Sequence, residues 1–228
     1  MIREPAVTRA QGAPIRLFGF WRSLATFRVR IALNLKGIAY EETFLDLDAG
    51  DQRRPDYRAL NPQMVVPALL DGDGPPLFQS LAILEYLDER FPEPPLLPAD
   101  PRGRARVRGL AQIVACDSHP LIVPRIRKYL GEEFGLDEAQ RLTWIRHWLE
   151  AGLRAIEAHL ERESGLYCHG DSVTMADLCV VSLAVGLELF KGRVADFPIA
   201  SRIVARCLAE DAFARAHPLC QPGAPARV

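Results

Sequence analysis

The chain has 228 residues, 49% hydrophobic and 25% charged, which is enough apolar content to bury one large core or two smaller ones. Its 28 Lys and Arg nearly balance 29 Asp and Glu, so no global field recruits nucleic acid or an acidic membrane surface, and a small-molecule partner fits better. No apolar run reaches the length of a membrane span and the first fourteen residues lack a signal-peptide core, so a cytoplasmic protein is expected.

Residues 1–14 are polar and irregular and read as a loose tail. Ile15-Arg16-Leu17-Phe18-Gly19-Phe20 has the length of a strand. It runs into a helix expected over Thr26 to Lys36, with Phe27, Ile31 and Leu35 on one broad buried face and Gly37 just past its end. Arg28 and Arg30 are expected to face solvent or neighbouring acids. A second strand is expected at Thr43 to Leu47, so that strand, helix and strand form a right-handed crossover with parallel neighbours.

The stretch from Asn61 to Arg90 carries most of the chemistry. Pro67 interrupts the apolar run Val65 to Leu70, where a proline predicts a shaped bend and allows a cis bond. Asp71-Gly72-Asp73-Gly74 predicts a hairpin, Leu77-Phe78 a returning strand, and Ser80 the N-cap of a following helix. The N–H groups at such a helix start suit a carboxylate.

Five prolines at 92, 94, 95, 98 and 101 predict a linker over residues 92–101, separating residues 15–91 from residues 102–228. Beyond it only helices are expected, over Arg102 to Leu130, Asp137 to Glu163, Thr174 to Phe190 and Ile199 to Ala209, before a proline-rich tail from Pro218. The helix from Thr174 is apolar nearly all round and belongs at the centre of a bundle. Thr174 and Asp177 read as an acidic capping box, with Val173 and Leu178 in staple positions. The five cysteines, Cys116, Cys168, Cys179, Cys207 and Cys220, lack the close pairing of a zinc site or redox dithiol, and their odd number argues against a disulfide framework. Cys179 reads as a core thiol.

An α/β unit of this order followed by an all-helical one resembles the glutathione transferase family, with a thioredoxin-like first domain. Val66-Pro67 matches the pair that offers a backbone N–H and C=O to the cysteine of glutathione, and Gln79-Ser80 matches the pair that holds its γ-glutamyl carboxylate. Within the family the chain is most similar to the zeta class, through Arg28-Val29-Arg30-Ile31-Ala32-Leu33, Gln52 with Ala59-Leu60-Asn61-Pro62, Gln79-Ser80-Leu81-Ala82-Ile83, and Val173-Thr174-Met175-Ala176-Asp177. The resemblance spans roughly residues 15–222 and implies a glutathione-binding enzyme, usually a homodimer.

A transferase of this kind must stabilise the glutathione thiolate, because the thiolate is the nucleophile. The resemblance places the zeta-class thiolate donor on Ser23, with Thr26 as a second candidate that equally suits the N-cap of the first helix; Gln52 falls near the glycine end of glutathione. Leu24 and Ala25 stand where the zeta Ser-Ser-Cys trio has Ser and Cys. Ile122 and Val123 replace a Gln-Asn pair after Pro120-Leu121, and Leu189 aligns with a zeta arginine. Arg22, Arg28 and Arg30 sit at the same end and offer positive potential around sulfur or an anionic substrate, the alternative for Arg28 and Arg30 to facing solvent or acids. His119, together with Arg125 and Arg127, is the expected substitute for the missing polar anchors. The implied reaction is attack of glutathione on a small electrophile, or glutathione-dependent isomerisation of maleylacetoacetate or maleylpyruvate. The competing reading from another class is a non-catalytic binding module on the same fold, which would have no need of Ser23, Val66-Pro67 and Gln79-Ser80 together.

Overall fold

The computed structural model describes residues 14–225, so the expected tail lies almost wholly outside them. Strand β1 (Ile15–Gly19) leads through helix α1 (Leu24–Leu35) to β2 (Tyr40–Phe44), which pairs with β1 in parallel, Leu17 opposite Glu42. Helix α2 (Pro55–Leu60) follows, then β3 (Ala68–Leu70) and β4 (Leu77–Phe78), both antiparallel to their neighbours. The sheet order is β2-β1-β3-β4, and α3 (Ser80–Arg90) covers it beside α1. This is the thioredoxin-like arrangement that the chain order implies.

The second strand lies three residues earlier than the Thr43 to Leu47 expected, and α2 has no counterpart in that reading. The apolar residues that suggested the later strand leave the sheet instead. Leu45 joins a small cluster with Phe20, Tyr57, Val66 and Ala68, and Leu47 lines a cavity. Edge strand β2 itself is half exposed and keeps Glu41 and Glu42, which an edge tolerates.

Helix α1 begins two residues before the expected start, and Ser23 is its N-cap, accepting a hydrogen bond from the Thr26 N–H at 3.1 Å. The helix is buried on every side from Leu24 to Leu33, because two helices of the second half, Met175–Leu189 and Asp211–Ala216, lie against it. Neither Arg28 nor Arg30 faces solvent: Arg30 meets a neighbouring acid, the second of the two expected settings, and Arg28 meets neither. Arg30 is enclosed against an acid, Glu42, at 2.6 Å, and donates to the Phe20 carbonyl at 3.2 Å. Arg28 is 1% exposed and has hydroxyl partners only.

The helical half runs through α4 (Pro101–Gln112), α5 (Pro124–Phe134), α6 (Glu138–Arg162), α7 (Met175–Leu189), α8 (Pro198–Leu208) and α9 (Asp211–Ala216). Asp100 and Asp137 cap α4 and α6, the latter in a full capping box with Gln140. Helix α7 lies at the centre as its composition requires, with every residue from Met175 to Leu187 buried. Between α4 and α5 the chain loosens into a π-turn (Ile113–Ser118) and a 3-10 turn (His119–Leu121), an irregularity of the kind that gathers at functional sites.

One apolar cluster runs from Ile15 and Phe27 through Leu84 to Leu149, Leu178 and Phe213, so the sheet and the bundle share a core. The proline-rich segment is tied down as well: Lys36 donates to the Phe91 and Pro94 carbonyls at 2.7 Å each, and Asp88 accepts from the Leu96 N–H. Glu85 on α3 and Arg108 on α4 form a two-pronged pair at 2.8 Å.

Candidate functional site

Two adjoining cavities open between the sheet end of the first half and the start of α5. The first is lined by Gln63, Val66, Pro67, Gln79, Ser80, Ala25 and Arg28 on one side and by Ala115, Cys116 and His119 on the other. The second is lined by Phe20, Arg22, Ser23, Leu47 and Gln52, and across from them by Ile122, Arg127, Leu189 and Phe190. Val65, Val66, His119, Val123 and Arg125 belong to both, so the two form one continuous space.

The bend at Val66 is fixed from behind. Tyr57 and Asn61 both donate to the Val65 carbonyl, at 2.7 and 2.8 Å, and the Val66-Pro67 bond is cis. Strand β3 begins only at Ala68, so none of the described backbone hydrogen bonds uses the N–H or C=O of Val66. A peptide edge left open in this way accepts another extended peptide as an added strand would.

Beyond β4, Gln79 takes a positive φ of 69° and becomes the N-cap residue, while Ser80 is the first residue of α3. This corrects the expectation that Ser80 caps the helix. Its hydroxyl, freed from capping, accepts from Arg28 Nη1 at 3.1 Å, and Arg28 Nε donates to Ser182 on α7 at 2.8 Å. Gln79 Nε2 donates to Gln63 at 2.9 Å across the mouth of the cradle. The uncapped N–H groups of α3, the Ser80 hydroxyl and a buried guanidinium behind it make a site for a carboxylate.

Ser23 faces the second cavity. Its oxygen accepts from the backbone of Thr26, so its own proton is available to donate to a sulfur in the cavity. Arg30 holds the Phe20 and Trp21 carbonyls from below and thereby sets the loop that carries Ser23. Thr26, the second candidate, is fully buried under β1, where a side chain on Gly19 would meet its methyl at 2.6 Å, and it lines neither cavity. Gln52 does reach the cavity and donates to the Leu47 carbonyl at 3.3 Å, with its amide oxygen buried and unpartnered.

Arg22 lies at the mouth, paired with Asp48 at 3.3 Å and set against the Trp21 ring. His119 sits where the cavities meet. Burial pushes its imidazole down to about 3, and the Arg28 guanidinium adds to the effect. At neutral pH it is an uncharged hydrogen-bonding group.

The sign of the pH effect follows from that shift. An unfolded chain protonates this histidine below about 6.5, whereas the folded chain resists until about 3. Stability contributed by neutral His119 is therefore present above 6.5 and lost as pH falls toward 3. We expect His119→Gln to have a shallower decline in Tm than the native chain between those values; equal slopes would refute the placement.

Sequence reasoning weighed Arg28 as a source of positive potential but missed its burial behind Ser80. The signal was present in the apolar surroundings of Phe27, Val29, Ile31, Ala32 and Leu33, which leave α1 no wet face on which to carry a charge. Tyr57 and Phe190 gave no comparable signal, since an aromatic residue fits many environments. Among the described residues no group of His, Cys, Asp or Glu is placed to hold a metal ion.

The family description "Glutathione S-transferase, N-terminal domain" matches residues 13–89. Over 210 residues, 91% of the chain and 99% of the relative, the sequence is 44% identical to the maleylpyruvate isomerase of a Ralstonia species. It is 43% identical to the maleylacetoacetate isomerase of Pseudomonas aeruginosa over 93% of the chain and 100% of the relative. Among solved structures, a maleylacetoacetate isomerase from Methylobacterium extorquens AM1 with bound malonate and glutathione is 59% identical, with a TM-score of 0.91, covering 92% of this chain and all of that one. A maleylpyruvate isomerase described as a zeta-class bacterial glutathione transferase has a TM-score of 0.89 at 43% identity, over 92% of this chain and all of that one.

Proposed function

The chain belongs to the glutathione S-transferase family, and we propose that it is a zeta-like enzyme that uses glutathione to isomerise a small conjugated cis-dicarboxylate of the maleylacetoacetate or maleylpyruvate type. The observation that carries this reading is the joining of the two cavities at Val66 and His119, with a peptide-and-carboxylate cradle in one and arginines in the other. When bound in the cradle, glutathione supplies a thiolate that adds reversibly to a conjugated double bond, so that rotation about the resulting single bond and elimination give the other isomer.

The residues fit that ligand. The open Val66 peptide pairs with its cysteinyl backbone, and Ser80 with the start of α3 takes the γ-glutamyl carboxylate, with Gln79 beside them. Gln52, whose amide oxygen lacks a partner, takes the glycine end. Ser23 donates to the sulfur and keeps it ionised. Arg22 and Arg125 supply positive charge for the carboxylates of the electrophile, and His119 adds a neutral hydrogen bond at the junction. Ile122, Val123, Leu189 and Phe190 exclude water from the reacting bond.

The apolar character of that wall also suits conjugation of a neutral electrophile, which the same Ser23 would serve. Purified protein incubated with glutathione and maleylpyruvate or maleylacetoacetate separates the two reactions: formation of the trans isomer is expected, and an unchanged substrate would remove the isomerase reading. Retention on immobilised glutathione tests the cradle. The native chain is expected to bind and Ser80→Ala to weaken binding by about 10-fold, the loss of one charge-assisted hydrogen bond; a native chain that passes through would favour a non-catalytic module.

No helix among the described residues is long and apolar enough to cross a membrane, which supports the cytoplasmic setting we assign. We also assign a homodimer, supported by Phe78, 58% exposed on edge strand β4. Light scattering should return twice the mass of the 25.4 kDa chain.

A further inference from the structure

Arg127 on α5 forms no ion pair among the described residues, although Asp48 and Glu138 border the same outer space. It is half-buried, its guanidinium carbon lies 5.5 Å from the centre of the Phe190 ring, and its Nε is enclosed without a hydrogen-bond partner. None of the ion pairs or side-chain hydrogen bonds among the described residues involves its guanidinium; the nearby carboxylate, Asp48, is paired with Arg22 at 3.3 Å. Burial and the neighbouring charges of Arg22 and Arg141 bring it down to about 10 against the weaker opposing pull of Asp48, so it remains charged at neutral pH. Enclosing a charge without a counter-ion is costly, and the cost is recovered when an anion arrives.

Its position says which anion. Arg127 lines the same cavity as Ser23, on the opposite wall, beside Leu189. Leu189 stands where the zeta-class resemblance places an arginine, so α7 brings no cation to this wall, and α5 brings one instead. The Phe190 ring supports the guanidinium from 5.5 Å, and a guanidinium, unlike an ammonium, can receive a carboxylate with two parallel bonds. Arg125, on the same helix, belongs to the junction of the two cavities, whereas Arg127 also borders the outer space formed with Arg141 and Lys128.

We infer that Arg127 is the anchor for the far carboxylate of a dianionic electrophile, a subsite moved from α7 to α5 in this chain. The inference rests on the reading of the Ser23 cavity as the electrophile site.

Adipate and its monomethyl ester, titrated by calorimetry into the full-length protein saturated with glutathione, test the subsite without requiring turnover. Arg127→Leu is expected to weaken adipate by at least about 10-fold, to the level of the monoester, and to leave the monoester within about 2-fold. Arg127→Lys, a point charge in place of a fork, is expected to restore part of the loss. Equal melting temperatures establish that both variants are folded. Unchanged adipate binding in Arg127→Leu, equal weakening of the monoester, or no adipate binding by the native chain would each overturn the subsite. A native chain that binds adipate through Arg127 yet leaves maleyl acids unchanged would overturn the isomerase reading and uphold the subsite.

Discussion

Replacing Ser23 with Ala is expected to lower kcat/KM by about 100-fold and to raise the thiol pKa of bound glutathione by about 1 to 2 units. The first figure is the usual cost of removing one preorganised donor from a developing or stabilised anion. The second is the same free energy read as a shift in ionisation. The geometry gives Ser23 two tasks at once: its oxygen accepts from the Thr26 N–H at 3.1 Å, and its proton remains free for the sulfur. Alanine removes both, so a cap loss of about 1 kcal/mol accompanies the catalytic loss. Ser23→Thr keeps both, because threonine caps and donates, and it is expected to retain most of the activity. Thiolate absorbance across a pH titration measures the shift directly. A variant whose bound glutathione ionises at the native pH would remove Ser23 from the mechanism, whatever happens to turnover.

The features that the sequence makes legible are those whose physics is local. Asp71-Gly72 makes its hairpin, Pro67 its bend, Thr174 and Asp177 their helix start, and the all-apolar run from Met175 its central helix. Each depends on backbone freedom, capping or periodicity within a few residues. The misjudged features depend on what lies across the fold. Leu45 and Leu47 are apolar because they wall a cluster and a cavity, and no local pattern distinguishes that from a strand. Ser80 has the side chain of an N-cap, yet Gln79 at positive φ takes that position and Arg28, fifty-two residues earlier, claims the hydroxyl. His119 titrates as its burial dictates, and burial at the junction of two helices is a tertiary property. The residues proposed for the cradle stand out one by one in the sequence, whereas those of the electrophile wall show there only as a set of replacements.

The largest stability effect is expected at Asp177, which touches no part of either cavity. Its carboxylate is fully buried and accepts three hydrogen bonds of 2.8 Å, from the Cys168 N–H, the Thr174 N–H and the Thr174 hydroxyl. Asp177→Ala leaves all three donors enclosed without an acceptor, at a cost of about 4 kcal/mol, or a fall in Tm of roughly 10 °C for a chain of this length. Asp177→Asn keeps one carbonyl and turns an amide toward the remaining donors, so about half that loss is expected at neutral pH. Desolvation raises the carboxyl above its ordinary value against the pull of these hydrogen bonds. An acid raised on folding contributes stability that is present below its unfolded pKa and declines as pH rises through the folded one. The gap between the native chain and Asp177→Asn should therefore narrow as pH rises above the ordinary carboxyl range. The consequence reaches the site through α7. Five residues beyond Asp177, Ser182 receives Arg28 at 2.8 Å, and Arg28 in turn holds Ser80 at 3.1 Å. A loosened start of α7 should weaken glutathione binding as well as lower Tm. If Asp177→Ala melted within about 2 °C of the native chain, neither the cap nor this route to the cradle would have the weight assigned to it.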